Sequence, residues 1–120
     1  MKESLVYNKA FKFSINIVKL YKYLCEEKRE YILSKQLLRS GTSIGANIKE
    51  GLFSQSKRDF LWKMNIALKE CSEASYWLEL LSATRYIDPL KYKPLLDDCI
   101  ELNKMLIAIV KTTKEKLNMS

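Results

Sequence analysis

The chain has 120 residues, 48% of them hydrophobic and 29% charged, with a formal net charge of +7. That size supports one domain around one core, and no apolar run nears the roughly 18 residues that a membrane-spanning helix needs. Histidine is absent, which removes the commonest general base, Ser-His triads and the Glu-x-x-His pairs of di-iron bundles.

Three glycines and two prolines leave little to interrupt the chain, so long elements are expected. Met1-Lys2-Glu3-Ser4 does not lead into an unbroken apolar stretch, and no secretory leader is read. Cys25, Cys71 and Cys99 are odd in number and none forms a C-x-x-C pair. Cys71 and Cys99 fall on apolar helical faces and are read as small core residues. A reducing, cytoplasmic setting follows.

The first helix is predicted over residues 5–25. At roughly 100° per residue, Val6, Tyr7, Ala10, Phe11, Phe13, Ile17, Val18, Tyr21 and Leu24 fill one broad sector. Lys9, Lys12, Lys19 and Lys22 occupy the opposite one. The charged stretch from Cys25 to Glu30 holds the first turn.

The second helix is predicted over residues 31–52, with Leu33, Leu37, Ile44 and Ile48 as its buried stripe. Its middle is built from small residues: Ser40, Gly41, Thr42, Ser43, Gly45 and Ala46. Each mid-helix glycine costs about 1 kcal/mol relative to alanine, so close approach of a neighbouring helix is the expected reason. Gly41-x-x-x-Gly45 has the spacing of a membrane dimerisation motif, but Arg39, Asn47 and Lys49 flank it. Gly51 is read as closing this helix.

The third helix, predicted over residues 57–85, carries Phe60, Met64, Ala67, Cys71, Ala74, Leu78 and Leu81 at alternating spacings of four and three. That is a heptad seam. Ser56 is its N-cap, with Asp59 placed as in a capping box. Asp88-Pro89 marks a boundary, and Pro94 starts a fourth helix over residues 94–117. Its seam is Leu95, Cys99, Leu102, Leu106 and Ile109; a second stripe, Leu96, Ile100, Ile107 and Val110, lies beside it. So wide a face belongs either to a deeply buried helix or to a subunit interface. The reading is one all-α domain over residues 1–120, an antiparallel up-down four-helix bundle.

No catalytic residue, metal ligand or cofactor is assigned. Glu70-x-x-Glu73 and Asp97/Glu101 are paired carboxylates read as helix-pairing or solvated charges, and Ser54-x-x-Lys57 as capping. The segment from Gly41 to Gly45 lacks the lysine of a phosphate loop. The basic residues say more. Lys28, Lys35, Arg39 and Lys49 are expected within about 80° of the second helix, near Tyr31, a candidate for base stacking. With the lysines of the first helix they make two strips, which would form a phosphate-binding groove if adjacent. A solvated basic surface is the plain alternative.

From Gln36 to Gly51 the chain reads Gln-Leu-Leu-Arg-Ser-Gly-Thr-Ser-Ile-Gly-Ala-Asn-Ile-Lys-Glu-Gly, then Ser56-Lys-Arg-Asp-Phe-Leu and a helix bearing Glu73. This resembles the four-helix-bundle proteins encoded in intervening sequences of bacterial 23S ribosomal RNA genes. The match falls on Gln36, Arg39, Ser43, Ile44, Asn47, Ile48, Glu50, Gly51, Ser56, Asp59, Phe60 and Glu73. The resemblance implies a homo-oligomeric ring, a pentamer, without enzymatic activity. It also implies kinship with the accessory proteins of diversity-generating retroelements, basic bundles bound to a reverse transcriptase and its RNA. The motif's polar members, Gln36, Arg39, Ser43, Asn47, Glu50, Asp59 and Glu73, are expected to form a network between helices two and three that fixes their packing or a subunit contact, with a ligand site as the sharper alternative. Two functions compete: an RNA-binding oligomer, and a scaffold that docks a larger protein.

Overall fold

The structure, a computed structural model, describes residues 2–118. Four helices run α1 (Lys2–Glu26), α2 (Leu33–Leu52), α3 (Lys57–Ala83) and α4 (Lys93–Lys116). They form a four-helix bundle of 48 × 22 × 21 Å in which each helix packs on its sequence neighbours and α1 meets α4. The α2–α3 seam is the most extensive and the α1–α4 seam the least.

The ends of the helices follow from particular side chains. Ser56 Oγ accepts the Asp59 N–H at 3.1 Å, so the serine half of the predicted capping box starts α3. Pro94 falls in the first turn of α4, where its missing N–H costs nothing. α3 stops at Ala83, two residues before the sequence pattern suggests. Arg85 there adopts the left-handed conformation (φ 65°), and Tyr86 N–H returns to Leu81 C=O, a Schellman closure.

α2 begins at Leu33, two residues later than predicted, and Glu30 is the cause. Its carboxylate accepts the N–H groups of Ile32, Leu33 and Ser34 at 3.2, 3.1 and 2.7 Å, satisfying donors that a helix start leaves open. Glu30 is only 8% exposed. Burial pushes its carboxyl up, but the backbone donors outweigh burial and hold its pKa below the ordinary 4.5. A carboxyl with a lowered folded-state pKa stabilises above its unfolded value, and that contribution is lost as pH falls through the folded one. Glu30→Ala is therefore expected to cost about 1–2 kcal/mol at neutral pH. The parent–variant gap in urea melts should narrow below about pH 4.5; a gap independent of pH would contradict this role.

Each helix buries a single stripe. From α1 come Val6, Ala10, Phe13, Ile17, Leu20 and Leu24, so Leu20 takes a core place while the predicted Phe11 and Val18 face outward. The reason is geometric: a bundle helix touching two neighbours covers a stripe, not the whole apolar sector. On α3 the heptad seam is buried from Met64 to Leu81, with Leu61 replacing the half-buried Phe60 at its start. On α4 the wide face splits. Leu95, Cys99, Leu102, Leu106 and Val110 are buried, whereas Ile100 and Ile107 are exposed.

The small residues of α2 do admit a neighbour. A Cβ on Gly41 would stand 2.9 Å from both Cγ atoms of Ile17, and one on Gly51 would stand 2.8 Å from Met64 Cε. Gly51 is thus a packing glycine inside α2, not the left-handed cap the sequence suggests, and no glycine has positive φ. Cys71 and Cys99 face each other in the core with sulfurs 3.8 Å apart, each also within 3.4 Å of the other's carbonyl oxygen. The hydrogen bond to Cys71, with burial, pushes the Cys99 thiol up, which keeps it in its unreactive neutral form.

Candidate nucleic-acid interface

The basic residues singled out in the sequence fall into two groups. Lys12, Lys19, Lys22, Lys28, Lys35 and Lys49 are exposed and make no ion pair among the described residues. Two others are engaged. Lys9 reaches across the α1–α4 seam to Glu101 at 3.3 Å and Asp98 at 3.7 Å. Arg39 is held by Glu70 at 2.8 Å and by Glu73. The Glu73 hydrogen bond, against a smaller opposing effect of burial, holds this guanidinium still more firmly protonated. Both cations are partly neutralised, so each offers less to a phosphate than a free lysine does.

The two strips do not merge along the middle of α1. α2 lies against the Ala10–Ser14–Ile17 edge of α1, as the surroundings of Gly41 and Gly45 show, and Lys9 marks the edge facing α4. At roughly 100° per residue, Phe11, Ile15 and Val18 cluster within about 60° on the outer side of α1, between those edges. An apolar strip therefore separates Lys12 and Lys19 from Lys35 and Lys49, while Lys22, four residues after Val18, falls within the sector of the strip itself. Lys28 also departs from expectation: it sits in the α1–α2 connection, not on α2, and Tyr31 precedes α2 as an exposed ring. Lys19 lines a cleft of about 300 Å³ between α1 and the start of α4, with Asn16, Lys91 and Tyr92 beside it and Asp98 opposite.

The expected polar network divides into separate contacts. Arg39 joins Glu73 and adds Glu70, which the sequence reading had placed outside the network. Glu50 turns instead to Lys63 at 2.7 Å. Ser43 Oγ donates to the Arg39 carbonyl, and Asn47 Nδ2 donates to the Ser43 carbonyl at 2.8 Å, both within α2. Gln36 contributes its backbone carbonyl to Ser40 Oγ at 2.9 Å. Asp59 contributes its backbone N–H to the α3 cap. The motif thus fixes the α2–α3 seam through ion pairs at two levels, and its serine and asparagine tie down α2 itself. The other pair of carboxylates noted in the sequence is likewise committed, Asp97 to Lys93 at 2.9 Å and Glu101 to Lys9. No metal-binding cluster of three or more such groups occurs among the described residues.

A second basic surface was missed by the sequence reading, which centred on helices one and two. Arg58, Trp62, Asn65, Lys69, Ser72 and Tyr76 recur at spacings of four and three, two residues out of phase with the α3 core seam. They line the outside of α3, and Lys104, Lys111 and Lys114 stand on the outer part of α4. The signal was present as a second heptad.

What this fold and surface define is a basic, all-α four-helix bundle whose lysines and arginines are spent on ion pairs or turned to solvent. No helix among the described residues is long and apolar enough to cross a membrane. The chain belongs to the 23S rRNA-intervening sequence protein family, whose family model matches residues 2–108. It is similar to a protein of unknown function from the S23 ribosomal protein family of Bacteroides thetaiotaomicron VPI-5482, known from a crystal structure at 1.70 Å. The two are 52% identical with a TM-score of 0.89, over 92% of this chain and 99% of that one. No curated protein matches the chain.

Proposed function

We propose that this chain is a non-catalytic, cytoplasmic, self-associating bundle that binds structured RNA, ribosomal RNA included, through its outer lysines. The observation that carries the reading is electrostatic: six of the eight basic candidates point to solvent without an acidic partner among the described residues, in a chain of net charge +7. Unpaired surface cations neutralise phosphates and release condensed counterions, which is the main source of sequence-independent affinity for nucleic acid. The family's description, which names a 23S rRNA intervening sequence, supports the choice of RNA. Affinity for mixed-sequence RNA should fall as salt rises; no binding near ~50 mM salt overturns the reading.

Self-association has its own support in the apolar strip of α1. Phe11 is 53% exposed, and Ile15 and Val18 continue it at spacings of four and three. Ile100 and Ile107 on α4 are interrupted by Lys104, which makes that face the poorer contact. The ring of subunits implied by the family resemblance would close through the α1 strip. Ile15→Glu is expected to lower the mass seen by light scattering while leaving helicity intact, because the side chain lies outside the core. A parent already running at 14.1 kDa contradicts self-association.

The same strip favours a second reading, a scaffold docking a larger protein. Loss of a co-purified protein on Ile15→Glu, with no RNA bound by the parent, would put it first.

A further inference from the structure

The outer side of the α3–α4 pair carries a feature that neither the fold nor the lysines of α1 and α2 require. Trp62 is 67% exposed on a helix whose core seam is otherwise fully used. Its indole lines a cleft of about 280 Å³ together with Arg58, Leu61, Asn65 and, across from α4, Lys114. Arg58 stands one turn before the tryptophan and Asn65 one turn after it, so cations and a carboxamide share the cleft with the indole. A second cleft of about 240 Å³ follows along the same helix pair, lined by Ser72, Ser75, Ile100, Asn103 and Lys104, with Cys99 at its floor. Lys104 and Lys114 are ten residues apart on α4, about 15 Å along the axis. That distance matches roughly four to five bases at the stacked rise of 3.4 Å per strand.

We propose that this α3–α4 groove holds a single-stranded stretch of RNA, with one base stacked on Trp62 and its phosphates held by Arg58 and Lys114. The inference rests on the reading of the chain as an RNA binder and adds which surface takes unpaired nucleotides. Every base offers a π-face, so stacking on an indole tolerates any sequence. Asn65 has both a donor and an acceptor for a base edge. Arg58, Lys69, Lys104, Lys111 and Lys114 make no ion pair among the described residues, so their charge is available to the backbone. A duplex keeps its base faces stacked and cannot offer one to the indole. A protein partner fits less well, because lysine is depleted at protein interfaces and here Lys114 and Lys104 line the two clefts.

The test compares a short labelled single-stranded RNA with a duplex of equal length, by fluorescence anisotropy at one salt concentration. Trp62→Ala is expected to weaken single-strand binding about tenfold, Trp62→Phe to retain most of it, and neither to alter duplex binding. Light scattering on Trp62→Ala should match the parent, since the indole is outside the core. Equal single-strand binding by the parent and Trp62→Ala overturns the proposal, as does an equal loss for both RNAs. A changed oligomeric mass in Trp62→Ala also overturns it, because a second copy would then be the occupant of the groove. A parent that binds neither RNA removes the proposed function itself; a parent that binds duplex RNA but ignores Trp62 removes only this groove.

Discussion

Gly41→Leu is expected to destabilise the bundle by about 3 kcal/mol, although leucine is by far the better helix former. The cost comes from Ile17. A Cβ at position 41 would meet Ile17 Cγ1 and Cγ2 at 2.9 Å, closer than carbon atoms approach. Both atoms branch directly from the isoleucine Cβ, and a β-branched side chain on a helix has one strongly preferred rotamer. Ile17 is fully buried, so relief requires α1 and α2 to separate. Gly45, four residues on, is a different case. Its Cβ would lie 3.6 Å from Ser14 Oγ and 3.7 Å from Ala10 Cβ, ordinary contact distances. Gly45→Ala should therefore be neutral or stabilise by up to about 1 kcal/mol, the gain in helix propensity. Gly45→Leu should still cost about 1–3 kcal/mol, because the position is buried. Equilibrium urea unfolding at a fixed protein concentration measures all three. Damage from Gly45→Ala as great as that from Gly41→Leu would show that the α1–α2 seam is spaced differently.

How much of this was legible beforehand depends on how local each cause is. The heptad from Met64 to Leu81 is periodic over about five turns, so helix, face and core role all follow from spacing alone. The small residues of α2 announce a close neighbour. They do not tell Gly41 from Gly45, because that depends on whether Ile17 or Ala10 lies opposite, a matter of register between helices. The early start assigned to α2 has a similar origin. Tyr31 and Ile32 extend the apolar pattern backwards, yet Glu30 reaches forward and takes the N–H groups of Ile32, Leu33 and Ser34 for a cap. The site was the least legible part. A count of charges finds Lys9 and Arg39 as readily as Lys12 and Lys35. Only the fold sets Asp98 and Glu101 beside Lys9, and Glu70 and Glu73 beside Arg39. The stripe from Arg58 to Tyr76 was readable in principle, since an outer heptad is as periodic as an inner one. It is the stronger core heptad two residues away that draws attention from it.

Replacing Lys12, Lys19 and Lys22 together by alanine is expected to lower RNA affinity by roughly 10²–10³-fold near 0.1 M salt. Each neutralised phosphate contributes about 0.9 to the slope of log affinity against log salt for a duplex, and about 0.7 for a single strand. Three lost contacts should thus flatten the slope by about two to three units, and the parent and variant lines should converge near 1 M salt. These lysines are the right ones to remove because all three are exposed and none is in an ion pair among the described residues. Lys9 would be a poor substitute. Its removal leaves Asp98 and Glu101 uncompensated on the same surface, so repulsion would be mixed with a lost contact. The loss should be equal for unrelated RNA sequences, since backbone contacts carry no sequence information. It should also shrink in the Ile15→Glu background, because a ring repeats the patch and multiplies its effect through avidity. Unfolding stability should not change, as none of the three side chains touches the core. A triple variant that binds as the parent does, with the same salt slope, would remove α1 from the interface and leave the phosphates to α3 and α4.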